Sequence, residues 1–223
     1  MCSVMDETYG FKSRRNRVWL KGGKVYKQIL PKPGQPGLND PRRSAAFEAD
    51  MLKKLHARGV YVPRVFSCEN DILEMEYIES ATLTDYLEAC ETGAARIPAE
   101  AIAQGMTHWF EIFYAALPEG HIRGDVNCRN FLVTPDGRIA GLDFETARTG
   151  DRETDLGGLL AFILEYRPKN TPFKKMLSDL LHEQFVTRFK LDPVLVAAER
   201  TREMKAMETR RGQGYRHTIE PKY

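Results

Sequence analysis

The stretch RGDVNCRNFLVTPDGRIAGLDFETA, Arg123 to Ala147, decides how this chain is read. Within it, Phe131 to Thr134 and Arg138 to Leu142 flank the turn residues Pro135-Asp136-Gly137, which predicts a hairpin of two short strands. Asp125 and Asn130 stand five residues apart ahead of the first strand, in a loop that follows a helix end. Both side chains can therefore converge on one site, and the returning strand of the hairpin brings Asp143 beside them.

Outward from this stretch, the N-terminal part reads as sheet. Val18 to Leu20 and Lys24 to Leu30 are β-prone runs joined at Gly22 and Gly23, the signature of a hairpin. The following PKPGQPGLNDPRR concentrates proline and glycine and reads as a loop. From Ser44 to Arg58, Phe47, Met51, Leu52 and Leu55 recur at helical spacing, with Ser44 placed as an N-cap and Gly59 just past the end. Tyr61 to Phe66 and Asp71 to Ile78 read as two further strands.

Beyond Glu79 the pattern turns helical. Helices are expected over Thr82 to Cys90, Pro98 to Leu117, Asp155 to Tyr166, Phe173 to Lys190 and Pro193 to Met207. The final RRGQGYRHTIEPKY is too rich in glycine and polar groups for a core role. A strand-rich part with one helix, followed by a helical part with one small hairpin, predicts two lobes, 1–79 and 80–223, with a cleft between them.

Composition agrees with a single catalytic unit. The chain has 223 residues, 42% of them hydrophobic, enough for one substantial core or two small lobes. Its 33 basic and 31 acidic residues are well mixed, so no large positive field selects nucleic acid, and the basic residues near the C-terminus alternate with Glu199, Glu203 and Glu208. Cys2, Cys68, Cys90 and Cys128 lack the close pairing of a zinc site and read as reduced thiols. The first residues lack a basic start and an apolar core, and the longest apolar run, Leu159 to Leu164, is far too short to span a bilayer, so a cytoplasmic protein is expected.

Phosphoryl transfer from ATP needs a carboxylate to receive or orient the acceptor hydroxyl, oxygen ligands for magnesium and a cation on the phosphates. Asp125, Asn130 and the LDFETA around Asp143 resemble, in type and spacing, the catalytic and metal-binding loops of the protein-kinase-like superfamily. That resemblance implies an α+β, bilobal protein-kinase-like fold with a small β-rich N-lobe and a helical C-lobe. It makes Asp125 the catalytic aspartate and Asn130 and Asp143 the Mg2+ ligands, with ATP as cosubstrate. Lys27 in KVYKQI matches the lysine that grips phosphates, and Glu48 its ion-pair partner. In LEMEYIES, backbone groups at Glu76, Tyr77 and Ile78 match the hinge that holds adenine, and Asp155 matches the aspartate that braces the catalytic loop.

Departures from the regulated protein kinases narrow the resemblance. The only candidate for a glycine-rich loop is YGFKSRRN, with one glycine; Arg123 and Gly124 stand where histidine and arginine are usual; DFE replaces DFG; and the segment after Asp143 is too short to dock a peptide. These features resemble the compact branch: aminoglycoside and choline phosphotransferases, lipopolysaccharide-core sugar kinases, and RIO or KEOPS-type kinases. They imply a small-molecule or saccharide acceptor, with a RIO- or KEOPS-like protein kinase or ATPase as first alternative and a nucleotide-binding pseudokinase as second. Arg123 and Arg129 read equally as acceptor or phosphate contacts and as structural ion pairs, while Asn127 and His121 read as loop-shaping and core hydrogen-bonding groups.

Overall fold

The computed structural model describes residues 9–11, 16–30 and 44–212; the expected loop at 31–43 and the last residues, 213–223, lie outside them. Asn16–Lys21 (β2) and Lys24–Ile29 (β3) form the expected hairpin, with Gly22 at φ 56 and Gly23 at φ 73. Two successive left-handed residues are what a type I′ turn demands, and glycine adopts that conformation freely. Trp19 and Tyr26, opposite one another in the register, stack with ring centroids 5.5 Å apart. Tyr9–Phe11 (β1) pairs with β2, and Val65–Glu69 (β4) and Ile72–Glu76 (β5) complete an antiparallel sheet of order β1-β2-β3-β5-β4.

The helix Ala45–Ala57 (α1) starts where the side chain of Ser44 accepts a hydrogen bond from the Phe47 N–H at 3.1 Å. It buries Ala45, Ala49, Leu52 and Leu55, and the last three share a core with Leu73 and Met75 of β5. The connection that follows differs from the expected strand at Tyr61 to Phe66: pairing begins only at Val65. Its start is tied instead to the helical part, because the Tyr61 carbonyl accepts from Trp109 Nε1 at 3.0 Å and from the Gly141 N–H at 3.1 Å.

The second part comprises Ala81–Thr82 (β6), Leu83–Glu91 (α2), Ala99–Ala116 (α3), His121–Ile122 (β7), Phe131–Val133 (β8), Ile139–Gly141 (β9), Arg148–Thr149 (β10), Arg152–Glu165 (α4), Pro172–Phe189 (α5) and Pro193–Gly212 (α6). β8 and β9 form the expected hairpin, and β6 joins β8; β7 pairs with β10. A capping box between Thr82 and Asp85 starts α2. α4 is buried along most of its length and is overlain by α6, so closely at Gly157 that a Cβ there would lie 2.6 Å from Glu199 Cβ. α6 runs past its expected end at Met207 because its last turn is anchored, Arg211 Nη1 lying 2.6 Å from Glu165 Oε2.

Trp109, Phe110 and Phe113 of α3 form an aromatic cluster with Phe131 of β8 and Phe144, all of them buried. Each fully buried ring contributes roughly 1.5–3 kcal/mol. The cluster lies under the loops carrying Asp125 and Asp143, so the core and the site share residues. A β-rich N-terminal sheet followed by a helical part is the α+β arrangement of a kinase-like fold. No helix among the described residues is long and apolar enough to cross a membrane.

Candidate active site

Lys27 lies on β3 between Val18 and Leu73, and its side chain points away from solvent toward α1. Its Nζ is 2.7 Å from Oε2 of Glu48 and 3.8 Å from Oδ1 of Asp143. Burial works against the ammonium, but the charges of Glu48, Asp143 and Glu145 outweigh it and hold the Lys27 pKa above its ordinary value. Burial pushes the Glu48 carboxyl up, against the opposing pull of Lys27. The pair thus sets one cation at the edge of the Asp143 carboxylate.

The loop carrying Asp125 is held from beneath by Asp155, in the first turn of α4. Its two carboxylate oxygens accept from the N–H groups of Arg123, at 2.8 Å, and Gly124, at 2.9 Å, and Tyr114 donates its hydroxyl at 3.1 Å. Burial pushes the Asp155 carboxyl above the usual range, opposed by these three donors. The same burial, with Asp155 beside it, holds the Tyr114 phenol well above its ordinary pKa.

Arg123 is fully buried. Its Nε donates to the Asp125 carbonyl at 3.0 Å, and its Nη2 donates to the carbonyls of Asn130, at 3.2 Å, and Leu142. The guanidinium lies 4.6 Å from the ring centroids of both Phe131 and Phe144 and 5.5 Å from that of Trp109. Burial pulls its pKa down to about 10, against the nearby charges of Asp125, Asp143 and Asp155. Of the two readings its sequence position allows, the structure supports the structural one, except that its partners are carbonyls and aromatic rings in place of a carboxylate.

Asp125 Oδ1 accepts from the Asn127 N–H at 3.1 Å, which fixes its rotamer. Asn127 Oδ1 in turn accepts from the Arg129 N–H at 3.0 Å and the Tyr166 hydroxyl at 2.7 Å, so Asn127 shapes the loop. The Asn130 carbonyl accepts from the Leu142 N–H at 2.8 Å, which sets Asn130 beside the segment leading into Asp143. Asp143 has φ 60, a left-handed conformation that an L-residue holds only where its surroundings impose it, and such strain concentrates at functional sites. The next residue, Phe144, is locked in the aromatic cluster.

Asn130 and Asp143 offer the hard oxygen donors that magnesium takes, and Asn130 Nδ2 is buried without a hydrogen-bond partner among the described residues. No group of three or more His, Cys, Asp or Glu is arranged for a metal among the described residues. Two protein ligands suit an ion that shares its shell with phosphates and water.

The structure brings together Lys27, Glu48 and Asp143 through one cation, and Asp125, Asn130 and Asp143 through the Arg123 and Leu142 contacts. It does not bring the hinge side chains into that group. Glu76 turns its Oε2 to the Arg64 N–H at 3.1 Å, the Ile78 carbonyl accepts from Ser80 Oγ at 2.9 Å, and Tyr77 is exposed. All three line a cavity of about 300 Å³ with Tyr61, Asp136 and Arg138 that touches none of Lys27, Asp125, Asn130 and Asp143. His121 Nδ1 is buried with no hydrogen-bond partner among the described residues. The keystone role of Arg123 had no signal in the sequence beyond its place two residues before Asp125.

A family model described as the ABC1 atypical kinase-like domain matches residues 42–166, more than half of the chain. The match takes in Glu48, Asp125, Asn130, Asp143 and Asp155, while Lys27 precedes it. No curated protein matches the sequence. The geometry is therefore that of a kinase-like, ATP-using domain, and the chain belongs to the ABC1 atypical kinase-like family of the protein-kinase-like superfamily.

Proposed function

We propose that this protein is an ATP- and magnesium-dependent phosphotransferase that moves the γ-phosphoryl group to a hydroxyl of a small-molecule or saccharide acceptor. The observation that carries the reading is the convergence of Asp143 with Lys27 on one side, Nζ to Oδ1 3.8 Å, and with the Asp125 loop on the other. Residues 1–79 would form the nucleotide-binding lobe and 80–223 the catalytic lobe, with backbone groups at Glu76, Tyr77 and Ile78 facing adenine.

In this reading Lys27, held by Glu48, grips the α- and β-phosphates as a permanent cation. Asp125 orients the acceptor hydroxyl and takes its proton as the new oxygen–phosphorus bond forms and the bond to the β-phosphate oxygen breaks, releasing ADP. Asn130 and Asp143 would hold Mg2+, which neutralises charge on the phosphates when bound. Positioning and charge stabilisation supply most of the acceleration, since the chemistry needs no covalent enzyme intermediate. The short segment after Asp143 supports a small acceptor over a docked peptide.

The test is magnesium-dependent transfer from labelled ATP by wild type and Asp143→Ala. Loss of about a hundredfold to a thousandfold is expected in the variant, the scale of removing a principal electrostatic contributor. Near-normal transfer would sink the site assignment.

A further inference from the structure

Two arginines border Asp125, and neither makes an ion pair with a described residue. Arg148 opens β10, and pairing of that strand with β7 lays its guanidinium against Gly124, the residue next to Asp125. The contact is close enough that a Cβ on Gly124 would collide with Arg148 Nη1. Its hydrogen bond to the Thr146 carbonyl, at 3.5 Å, is at the outer limit for such a bond, which leaves most of a five-donor group unused.

Arg129 sits on the single 3-10 turn Cys128–Asn130, with its backbone N–H held by Asn127 and its side chain in solvent. The same Asn127 Oδ1 that holds the Arg129 N–H also accepts from the Tyr166 hydroxyl, so the turn carrying Arg129 is fixed. Arg148 thus lies against the residue before Asp125, and Arg129 stands on the same loop four residues after it. The acids of the site other than Asp125, namely Glu48, Asp143 and Glu145, gather at Lys27.

We propose that Arg148 and Arg129 bind an anionic group, a carboxylate or a phosphate, carried by the acceptor whose hydroxyl meets Asp125. Guanidinium groups match planar carboxylates and phosphates with paired donors. The proposal rests on the phosphotransferase reading and narrows its acceptor to hydroxyl compounds with negative charge. Cations such as choline and aminoglycosides would meet repulsion from the same two guanidinium groups.

The experiment uses the full-length protein with magnesium and labelled ATP, and four acceptors: gluconate, a hexose phosphate, a neutral hexose and choline. Label is expected on one or both anionic acceptors, and which of the two distinguishes carboxylate from phosphate. Arg148→Ala and Arg129→Ala are each expected to raise the acceptor KM about tenfold or more, far more than the KM for ATP. Arg148→Lys should fall between, and added salt should raise the wild-type acceptor KM. Equal or better transfer to the neutral hexose or choline, or an acceptor KM unmoved in both alanine variants, overturns the proposal. ATP hydrolysis with none of the four labelled overturns it while ATP turnover stands. Absence of any magnesium-dependent ATP turnover overturns the phosphotransferase reading, and this proposal with it.

Discussion

The guanidinium of Arg123 lies 4.6 Å from the ring centroid of Phe144, and its Nη2 donates to the Leu142 carbonyl. One buried cation thus joins the loop of Asp125 and Asn130 to the segment of Asp143 by both a π face and a backbone carbonyl.

Replacing it should be costly. Arg123→Ala leaves a cavity among three rings and strips the donor from three carbonyls, a loss of about 3–5 kcal/mol by the cost of large core truncations. Denaturant unfolding measures it. Arg123→Lys keeps the charge but not the planar stack or the second branch of donors, and should fall between wild type and alanine.

Asp155→Asn should loosen the same loop from below. The amide nitrogen has no lone pair for one of the two N–H groups of Arg123 and Gly124 and sets a donor against it. A loss of about 2–4 kcal/mol is expected, together with lowered turnover because Asp125 is no longer fixed. Unchanged melting temperature and turnover would contradict this bracing role.

Lys27 gives a pH prediction. Because its folded pKa is raised above the ordinary 10.5, the Lys27 ammonium is fully charged below that value and loses its proton only as pH rises through the folded value. ATP affinity should therefore show no Lys27-dependent titration between about pH 6 and 9. Lys27→Met removes the partner of a buried carboxylate, raising the Glu48 pKa further. The folded variant then holds a proton that the unfolded chain releases, so it should be more stable near pH 5 than near pH 7. A variant equally stable across that interval would refute the argument.

Gly124→Ala tests the close approach at the loop. Gly124 has φ 82, and a Cβ would lie 2.6 Å from the Thr146 carbonyl oxygen, a backbone atom that cannot swing aside. The left-handed conformation alone costs about 1–2 kcal/mol. Displacement of residues 146–148 should lower turnover beyond what the loss of stability explains, read by comparing melting with kinetics at a temperature where both proteins are folded.

Most of the helices, the turn glycines and the two hairpins were legible in the sequence because each rests on local rules: apolar period, caps and turn residues; the short strands Tyr9–Phe11, Ala81–Thr82, His121–Ile122 and Arg148–Thr149 carry no such signal. Asp125, Asn130 and Asp143 were legible as a set because their types and spacing survive in linear order. The same local rules misplaced the strand at Tyr61, whose carbonyl is claimed by Trp109 and Gly141, 48 and 80 residues away along the chain.

By itself, then, the sequence indicated most of the helices and the two hairpins and, in Asp125, Asn130 and Asp143, a candidate set of side chains for the proposed chemistry. The tertiary structure alone decided that Arg123 is a keystone and that Arg148 lies against Gly124. It also set Glu76 Oε2 against the Arg64 N–H. The reason is physical: burial, ring contacts and long-range hydrogen bonds depend on which distant segments pack together, and no periodicity along the chain encodes the neighbours of an arginine that folding removes from water.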